Sequence, residues 1–264
     1  MRIAVQLFTI RDFTKSRKEF VDSLGKLKEI GYREVQLSAV GCMSGESPEV
    51  DALDCRAILH DLEMAAPLTH RPWEEIKFRT DECIEFHKTI GAELVAVGSI
   101  PGVYRNEGLD GYRRFVDDCA EPIDQFKAAV LKFAYHNHSF EFERMGPSGE
   151  RPFDVMRDQR VEGFNFEIDT YWVVHAGVDL VSLMESLSGR LPMVHFKDKS
   201  VFGNEPRMAP VGEGNLNWDQ IVAAFKSAGT VLAAVEQDDC YGRDPFDCLR
   251  SSLQFLQRVE LPSR

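Results

Sequence analysis

The stretch MVHFKD at residues 193–198 is an apolar run that ends in charged side chains. Its first four residues, Met193–Phe196, predict a short buried strand, because the strands of a parallel sheet are covered on both faces. An amphipathic helical segment precedes the run at Leu180–Leu187, and another follows at Trp218–Ala228. This order of strand and helix indicates a βα unit.

The same alternation continues along the chain in both directions. Seven further apolar runs begin about 30–40 residues apart, at Ile3–Phe8, Glu34–Leu37, Ala65–Leu68, Leu94–Val97, Lys132–His136, Phe164–Ile168 and Val231–Val235. Eight strand–helix units with no second class of composition predict a closed (β/α)8 TIM barrel, as a single domain over residues 1–264. An open doubly wound sheet is the runner-up, but its signatures GxGxxG and GxxxxGK(S/T) do not occur.

Helix signals fill the intervals between the strands. Further helices are predicted at Ser16–Ile30, Pro48–Leu62, Thr80–Ile90, Leu109–Ala129, Pro152–Arg157 and Phe246–Val259. Ser47 is a candidate N-cap, with Pro48 at the first helical position. Pro122 predicts a kink in the longest of these helices.

Composition narrows the class of protein. The chain has 264 residues, 44% of them hydrophobic, and a formal net charge of −12. An acidic surface repels the phosphates of nucleic acids and of anionic membranes, so we expect neither as a partner. Residues 1–14 carry no cleavable signal, the six cysteines form no CxxC pair, and no apolar run approaches the roughly 20 residues that span a bilayer. We therefore expect a cytoplasmic protein with reduced thiols.

Polar residues gather where the last four strands end. These ends are His136-Asn137-His138, Glu167-Ile168-Asp169, His195-Phe196-Lys197 and Glu236. Side chains alternate along a strand, so the outer two residues of each triplet share a face, and active sites of such barrels lie at the C-terminal strand ends. A single His or Asp at a strand end is usually structural, but four ionisable groups on consecutive strands are costly to bury unless they bind or pair with something. Imidazoles mixed with carboxylates suit Mn, Co, Zn or Fe, and Mg less well.

Seven stretches carry a resemblance to a known family. They are Val5–Asp12, Gly31–Leu37, Tyr135–Phe142, Glu167–Trp172, His195–Asp198, Val211–Gly214 and Val235–Asp238. With them the chain resembles the sugar phosphate isomerase/epimerase family, which is xylose isomerase-like and also includes the barrel of endonuclease IV. Each stretch alone is a weak match, but the ordered set spans nearly the whole chain.

The resemblance implies one divalent metal ion held by residues from strands five to eight. Mn is the first expectation, with Co, Zn, Mg or Fe as alternatives. Asp169, His195 and Glu236 match three of the ligand positions. The fifth-strand ligand is a Glu in the family's epimerases, and this chain offers His136 at the matching spacing or Glu141 a few residues later. We favour Glu141 slightly, because it keeps a carboxylate ligand.

The resemblance also implies proton transfer at a carbon next to a carbonyl. Glu236 is the candidate for one acid/base, and Glu141 or His138 for a second on the opposite face. The implied substrate is a small sugar-like molecule. Five residues are candidates to contact it: His70, Trp172, Gln6, Phe8 and Gln36. Family members often carry Glu at the last position, and an amide can hydrogen-bond a hydroxyl but cannot act as a base.

Two further features allow a structural as well as a functional interpretation. Lys197 could hold an oxyanion or hydroxyl of the substrate, or form an ion pair with Asp198 or Glu167. The sequence Gly212-Glu213-Gly214 could form a flexible loop that shapes the mouth of the barrel, or a simple turn.

Three other functions compete with an isomerase or epimerase. A lyase or dehydratase acting on a keto-sugar or cyclitol would share the proton abstraction, and the pair His136 and His138 tilts slightly towards it, since a His can protonate a departing hydroxyl. A nuclease like endonuclease IV needs more His ligands than can be placed among the seven present. A non-catalytic sugar-binding barrel is the third. Barrels of this kind often pair, which leaves a homo-oligomer open.

Overall fold

Eight parallel strands close into a barrel in the order β1-β10-β7-β6-β5-β4-β3-β2. The computed structural model describes residues 1–159 and 161–259. The barrel strands are β1 Arg2–Gln6, β2 Glu34–Leu37, β3 Ala65–His70, β4 Leu94–Val97, β5 Lys132–His136, β6 Phe164–Asp169, β7 Met193–Phe196 and β10 Leu232–Val235. β1 pairs with both β10 and β2, which closes the ring. The predicted TIM barrel is confirmed.

Helices surround the barrel. They are α1 Arg17–Ile30, α2 Ala52–Asp61, α3 Trp73–Phe78, α4 Thr80–Ile90, α5 Gly102–Arg105, α6 Gly108–Ala128, α7 Pro152–Asp158, α8 Thr170–His175, α9 Leu180–Ser186, α10 Trp218–Ser227 and α11 Pro245–Arg258. Three 3-10 turns lie at Leu7–Phe13, Gly41–Met43 and Phe140–Phe142. An antiparallel hairpin, β8 Asp198–Phe202 and β9 Glu205–Ala209, follows β7.

Two helix predictions need correction. The helix expected from Pro48 begins only at Ala52, because the Asp51 carboxylate accepts a hydrogen bond from Asp54 N and so supplies the N-cap. The long helix α6 runs through Pro122 as one element. Pro122 cannot donate to the Asp118 carbonyl four residues before it, and the Lys77 ammonium donates to that oxygen instead, at 2.9 Å.

Two buried layers set the position of the functional side chains. Inside the barrel, small and medium apolar residues form a compact plug: Ala4, Leu68, Leu94, Ala96, Ala134, Met193, Leu232 and Ala234. A second and larger core fills the space between strands and helices. One or two residues further along each strand the inward face becomes polar, with Gln6, Gln36, His136, His195 and Glu236 all buried. The polar layer therefore lies above the plug, at the C-terminal end of the barrel.

Candidate metal centre

Four side chains from consecutive strands converge above the apolar plug. His136 ends β5, Asp169 ends β6, His195 lies on β7, and Glu236 directly follows β10. Each offers one ligand atom, and these atoms all lie within 4.8 Å of one another. All four residues are buried, and none is more than 5% exposed.

The contacts within this group leave ligand atoms without a hydrogen bond. His195 Nδ1 lies 2.8 Å from Glu236 Oε2, but neither atom forms a hydrogen bond of good geometry with a described residue, although Glu236 Oε2 also forms an ion pair with Lys197 Nζ. His136 Nε2 lies 3.3 Å from Asp169 Oδ2. Buried polar atoms usually form hydrogen bonds, so the two facing ligand atoms of His195 and Glu236 fit a shared metal ion. Two imidazoles and two carboxylates form a donor set that suits a divalent transition metal.

A buried carboxylate beneath the group orients the His195 ring. Glu167 Oε1 lies 2.6 Å from His195 Nε2, and Glu167 Oε2 lies 2.6 Å from His70 Nε2. Gln36 adds to this network, since its Nε2 donates to Glu167 Oε1 at 2.8 Å and its Oε1 lies 2.7 Å from His195 Nε2. With Nε2 engaged below, His195 presents Nδ1 to the centre, as ligating histidines commonly do when a carboxylate holds the other nitrogen.

A backbone carbonyl orients the His136 ring, as Glu167 orients that of His195. Its Nδ1 lies 3.1 Å from the Gly98 oxygen, which leaves Nε2 facing Asp169. Burial and the neighbouring His195 lower the pKa of His136, so the ring is neutral, the form that binds metals. Gly98 also makes room for His70, because a Cβ at this position would lie 2.8 Å from His70 Nδ1.

The cationic and anionic side chains of the centre stabilise each other's charged forms. Burial alone would lower the pKa of His195, but the carboxylates of Glu167 and Glu236 outweigh it and raise that pKa to about 10. Burial alone would raise the pKa of Glu236, but Lys197 and His195 bring it well below its ordinary value. A divalent ion would therefore displace a proton from His195 on binding.

Lys197 is a second cation at the same carboxylates. Its Nζ lies 3.1 Å from Asp169 Oδ2, 2.8 Å from Glu236 Oε2 and 2.8 Å from Asp238 Oδ1. The sequence suggested an ion pair of Lys197 with Asp198 or Glu167, but the structure pairs it with Asp169, Glu236 and Asp238 instead. Asp198 instead accepts hydrogen bonds from the backbone N–H groups of Gly212 and Gly214 and from Trp218 Nε1, as follows from distances of 2.8, 3.1 and 2.6 Å.

The loop over residues 212–214 is thus anchored to a buried carboxylate. A Cβ at Gly214 would lie 2.3 Å from Asp198 Oδ1, so the glycine is needed for this close approach. The flexible loop suggested from the sequence is in fact a tightly bonded one.

Asp238 and Glu167 were missed as site residues from the sequence. Burial and the nearby Glu236 raise the pKa of Asp238 to about 7, against the opposing effect of Lys197. The signal for both was present in the alternation, since Asp238 shares a strand face with Glu236, and Glu167 with Asp169. What the sequence could not show is that the Lys197 side chain reaches Asp238.

Glu141, the favoured fifth-strand ligand, lies elsewhere. It is fully buried, its Oε1 accepts a hydrogen bond from Tyr135 OH at 2.6 Å, and its Oε2 accepts one from His138 N at 2.8 Å. Tyr135 belongs to the core outside the barrel, where it packs on Phe115 and Phe164. The structure does not bring Glu141 to the centre: Glu141 follows β5 in a 3-10 turn and bonds to Tyr135 and His138, whereas His136 at the end of β5 faces the other ligand candidates.

His138 lies at the edge of the group. Its ring centroid is 4.9 Å from that of His136, 5.4 Å from Phe140 and 5.6 Å from Trp172. Burial and His136 lower its pKa to about 3. A neutral imidazole with so low a pKa is a poor proton donor near pH 7, which weakens the suggested role of His138 as an acid.

Some of the residues predicted to contact the substrate border the metal centre, and others form hydrogen bonds within the protein. His70 borders the centre through Glu167, and Lys197 Nζ lies 5.8 Å from the centroid of the Trp172 ring. Gln36 is buried and uses both ends of its amide within the Glu167 network, and Gln6 caps the first 3-10 turn by accepting from Phe8 N at 2.7 Å. Phe8 itself is half-buried under the Arg11 guanidinium, 4.1 Å from the ring centroid. The Gln6 amide oxygen and both ends of the Gln36 amide therefore form hydrogen bonds within the protein.

The fold and the centre can now be compared with known proteins. The sequence model for the xylose isomerase-like TIM barrel matches residues 24–259. The chain belongs to this family. No curated protein sequence matches the chain. No helix in residues 1–159 and 161–259 combines the length and apolar character needed to cross a membrane.

Several solved structures superpose over nearly the whole chain. A sugar phosphate isomerase/epimerase from Parabacteroides distasonis is 20% identical, with a TM-score of 0.80 over 98% of this chain and 94% of its own. The probable 3-DHS dehydratase AsbF from Bacillus anthracis is 14% identical, with a TM-score of 0.71 over 97% and 99%. The IolI protein with a bound zinc atom is 14% identical, with a TM-score of 0.70 over 98% and 98%. At these identities the similarity establishes a shared fold.

Proposed function

We propose that this protein is a divalent-metal-dependent enzyme that removes a proton next to the carbonyl of a sugar or keto-sugar, as an isomerase or epimerase. The observation that carries the proposal is the convergence of His136, Asp169, His195 and Glu236 at the mouth of the barrel, where ligand atoms of His195 and Glu236 face each other without a hydrogen bond. The names of the similar structures, which include an isomerase/epimerase and a dehydratase, support a small sugar-like substrate.

His136, Asp169, His195 and Glu236 would hold the ion. When bound, a divalent ion would polarise the carbonyl and hydroxyl oxygens of the substrate and stabilise the enediolate that forms. Mn is our first expectation, and the zinc bound by IolI makes zinc the second. Glu167 and the Gly98 carbonyl would keep the two imidazole rings in the ligating orientation.

The chain's own groups would handle the proton and the charge. Glu236 is our candidate for the base, because its carboxylate is ionised and lies at the centre. Lys197 remains charged, since Asp169, Glu236 and Asp238 overcome the effect of burial and raise its pKa. Its ammonium can therefore hold a substrate oxygen and offset negative charge there.

A lyase or dehydratase is the second candidate, and one observation favours it over a two-base epimerase. Epimerisation needs acid/base groups on opposite faces of the carbon. Glu141 is buried in the outer core, and His138 has a pKa of about 3. Of the carboxylates that contact Lys197, Glu236 and Asp238 follow the same strand, and Asp169 is a candidate metal ligand. This arrangement suits a single base, which is sufficient for an aldose–ketose isomerisation or an elimination.

The test is proton exchange in deuterated water. Protein reconstituted with Mn would be incubated with a panel of keto-sugars and cyclitol ketones, and loss of the C–H signal next to the carbonyl would be followed by NMR. Exchange in the wild type and none in Asp169→Asn would support the proposal. Products that differ from the substrate in mass only by the incorporated deuterium indicate an isomerase or epimerase, and loss of water indicates a dehydratase. Exchange with no member of the panel would count against both.

A further inference from the structure

A large cavity lies beside the candidate metal centre. Its volume is about 640 Å³. One wall is the segment that follows β2, from Leu37 to the start of α2 at Ala52, and the other is formed by the end of β3 with helices α3 and α4. The lining segments follow the C-terminal ends of β2 and β3. The cavity therefore lies at the C-terminal end of the barrel, where these folds bind ligands. The volume falls within the roughly 300–1,000 Å³ of ligand pockets.

His70 lies between the cavity and the candidate metal centre. It lines the cavity, and its Nε2 lies 2.6 Å from Glu167. Its ring centroid lies 5.2 Å from those of both His136 and His195. A group that fills the cavity would therefore lie one ring's width from the metal ligands. This is the distance expected between two parts of one substrate.

The charges of the cavity do not suit a phosphate. Its two guanidinium groups are already paired: Arg71 with Glu75, and Arg79 with Glu75 at 3.6 Å and with Glu82 at 3.7 Å. Asp51 adds a third carboxylate to the lining. The three carboxylates of the lining outnumber its two guanidinium groups, and this excess of negative charge disfavours a phosphate.

The remaining lining suits a neutral ring. Val40, Met43 and Phe86 contribute apolar surface, and the Arg71 guanidinium lies 4.4 Å from the centroid of the Phe86 ring. Arg71 Nε is buried without a hydrogen-bond partner among the described residues. Apolar side chains together with one donor that lacks a hydrogen bond suit a ring-sized group that carries an ether or hydroxyl oxygen.

We propose that this cavity binds a neutral, ring-sized substituent of the substrate, so that the substrate is a substituted keto-sugar, such as an aryl glycoside with a ketone on its sugar ring, rather than a sugar phosphate. The inference rests on the proposed function, because it takes the reacting sugar carbon to lie at the metal centre. It adds the class of the group that extends from that sugar.

The probes are 4-nitrophenyl pyranosides of several sugars, each compared with the matching methyl pyranoside and with glucose 6-phosphate. Binding to the metal-loaded protein would be measured by calorimetry and by saturation transfer to the aryl protons. We expect the aryl member of at least one pair to bind at least about tenfold more tightly than its methyl counterpart, the gain expected from burying a ring. The inference is overturned if every pair binds alike, or if the sugar phosphate binds most tightly.

Two tryptophan substitutions locate the effect. Met43→Trp fills the cavity, and Leu53→Trp places the same ring one residue beyond the cavity wall, at a side chain that is 59% exposed. Met43→Trp is expected to abolish the preference for the aryl group and leave metal affinity unchanged, and Leu53→Trp to change neither. An aryl preference that survives Met43→Trp would contradict the inference. If metal binding and proton exchange persist while no aryl preference is found, only this inference fails, whereas loss of exchange and metal binding refutes the proposed function.

Discussion

Replacing Glu167 by Gln tests whether the network beneath the centre supports the metal. The change keeps the size of the side chain and removes its charge. Glu167 now accepts from two imidazoles, with both N···O distances at 2.6 Å. In the variant one oxygen becomes an NH₂ group, so either His195 or His70 must face a donor instead of an acceptor. His195 then loses the contact that directs Nδ1 to the centre.

The expected loss is about 10- to 100-fold in metal affinity, the usual effect of removing such an outer-shell partner. This corresponds to about 1.4 to 2.8 kcal/mol. Glu141→Gln is the matched control, because it makes the same change at another fully buried carboxylate, bonded to Tyr135 and His138. We expect metal affinity in the control to stay within about twofold of wild type, since the side chain lies outside the barrel.

Both variants would be titrated with Mn and Zn against a chelating dye. The visible spectrum of the Co-loaded proteins provides a second readout that reports ligand geometry and is insensitive to overall stability. A Glu141→Gln variant that loses metal while Glu167→Gln retains it would refute this account of the centre. It would also restore Glu141 as the fifth-strand ligand.

Three further predictions concern other parts of the site and the fold. Gly98→Ala should destabilise the protein by about 1–3 kcal/mol in urea unfolding, the usual cost of overpacking, because its new Cβ would lie 2.8 Å from His70 Nδ1; unchanged stability would contradict this close packing. Burial lowers the pKa of His87 to about 4, so the unfolded chain binds the proton more readily, and this residue alone should reduce stability by on the order of 3 kcal/mol as the pH drops from 6.5 to 4. His87→Gln should make stability fall less steeply over that pH range, where His138 with its pKa of about 3 also contributes, and an unchanged slope would disprove the assignment. Lys197→Met should tighten metal binding and reduce turnover, since its ammonium competes for Asp169 at 3.1 Å; weaker metal binding would show that the lysine assists the ion.

Most of the barrel could be predicted because its signal is local. Runs such as Leu94–Val97 and Met193–Phe196 have the same bounds in the sequence and in the structure, since a strand buried on both faces leaves a continuous apolar run. The hairpin β8–β9 was missed because Asp198–Phe202 and Glu205–Ala209 mix polar and apolar residues, are mostly exposed or half-exposed, and contain no continuous apolar run. The capping of α2 was misplaced because Ser47 and Asp51 are both good caps, and the choice depends on how the preceding loop packs.

The centre was harder to predict than the barrel. Alternation along the strands placed His136, Asp169, His195 and Glu236 on one inward face, and the structure brings them together. It could not decide on Glu141, because that residue follows β5 in a 3-10 turn where strand periodicity no longer holds. Long-range pairs such as that between Lys197 and Asp238 depend on the closure of the barrel, which no local pattern encodes.

The metal content of the purified protein tests the central claim most directly. It would be measured by elemental mass spectrometry before and after chelation and reconstitution with Mn, for the wild type, Asp169→Ala and Glu141→Gln. The account predicts about one ion per chain in the wild type and in Glu141→Gln, and loss of that ion in Asp169→Ala while the fold persists. An ion-free wild type after reconstitution would contradict the account and leave a binding protein on a barrel fold.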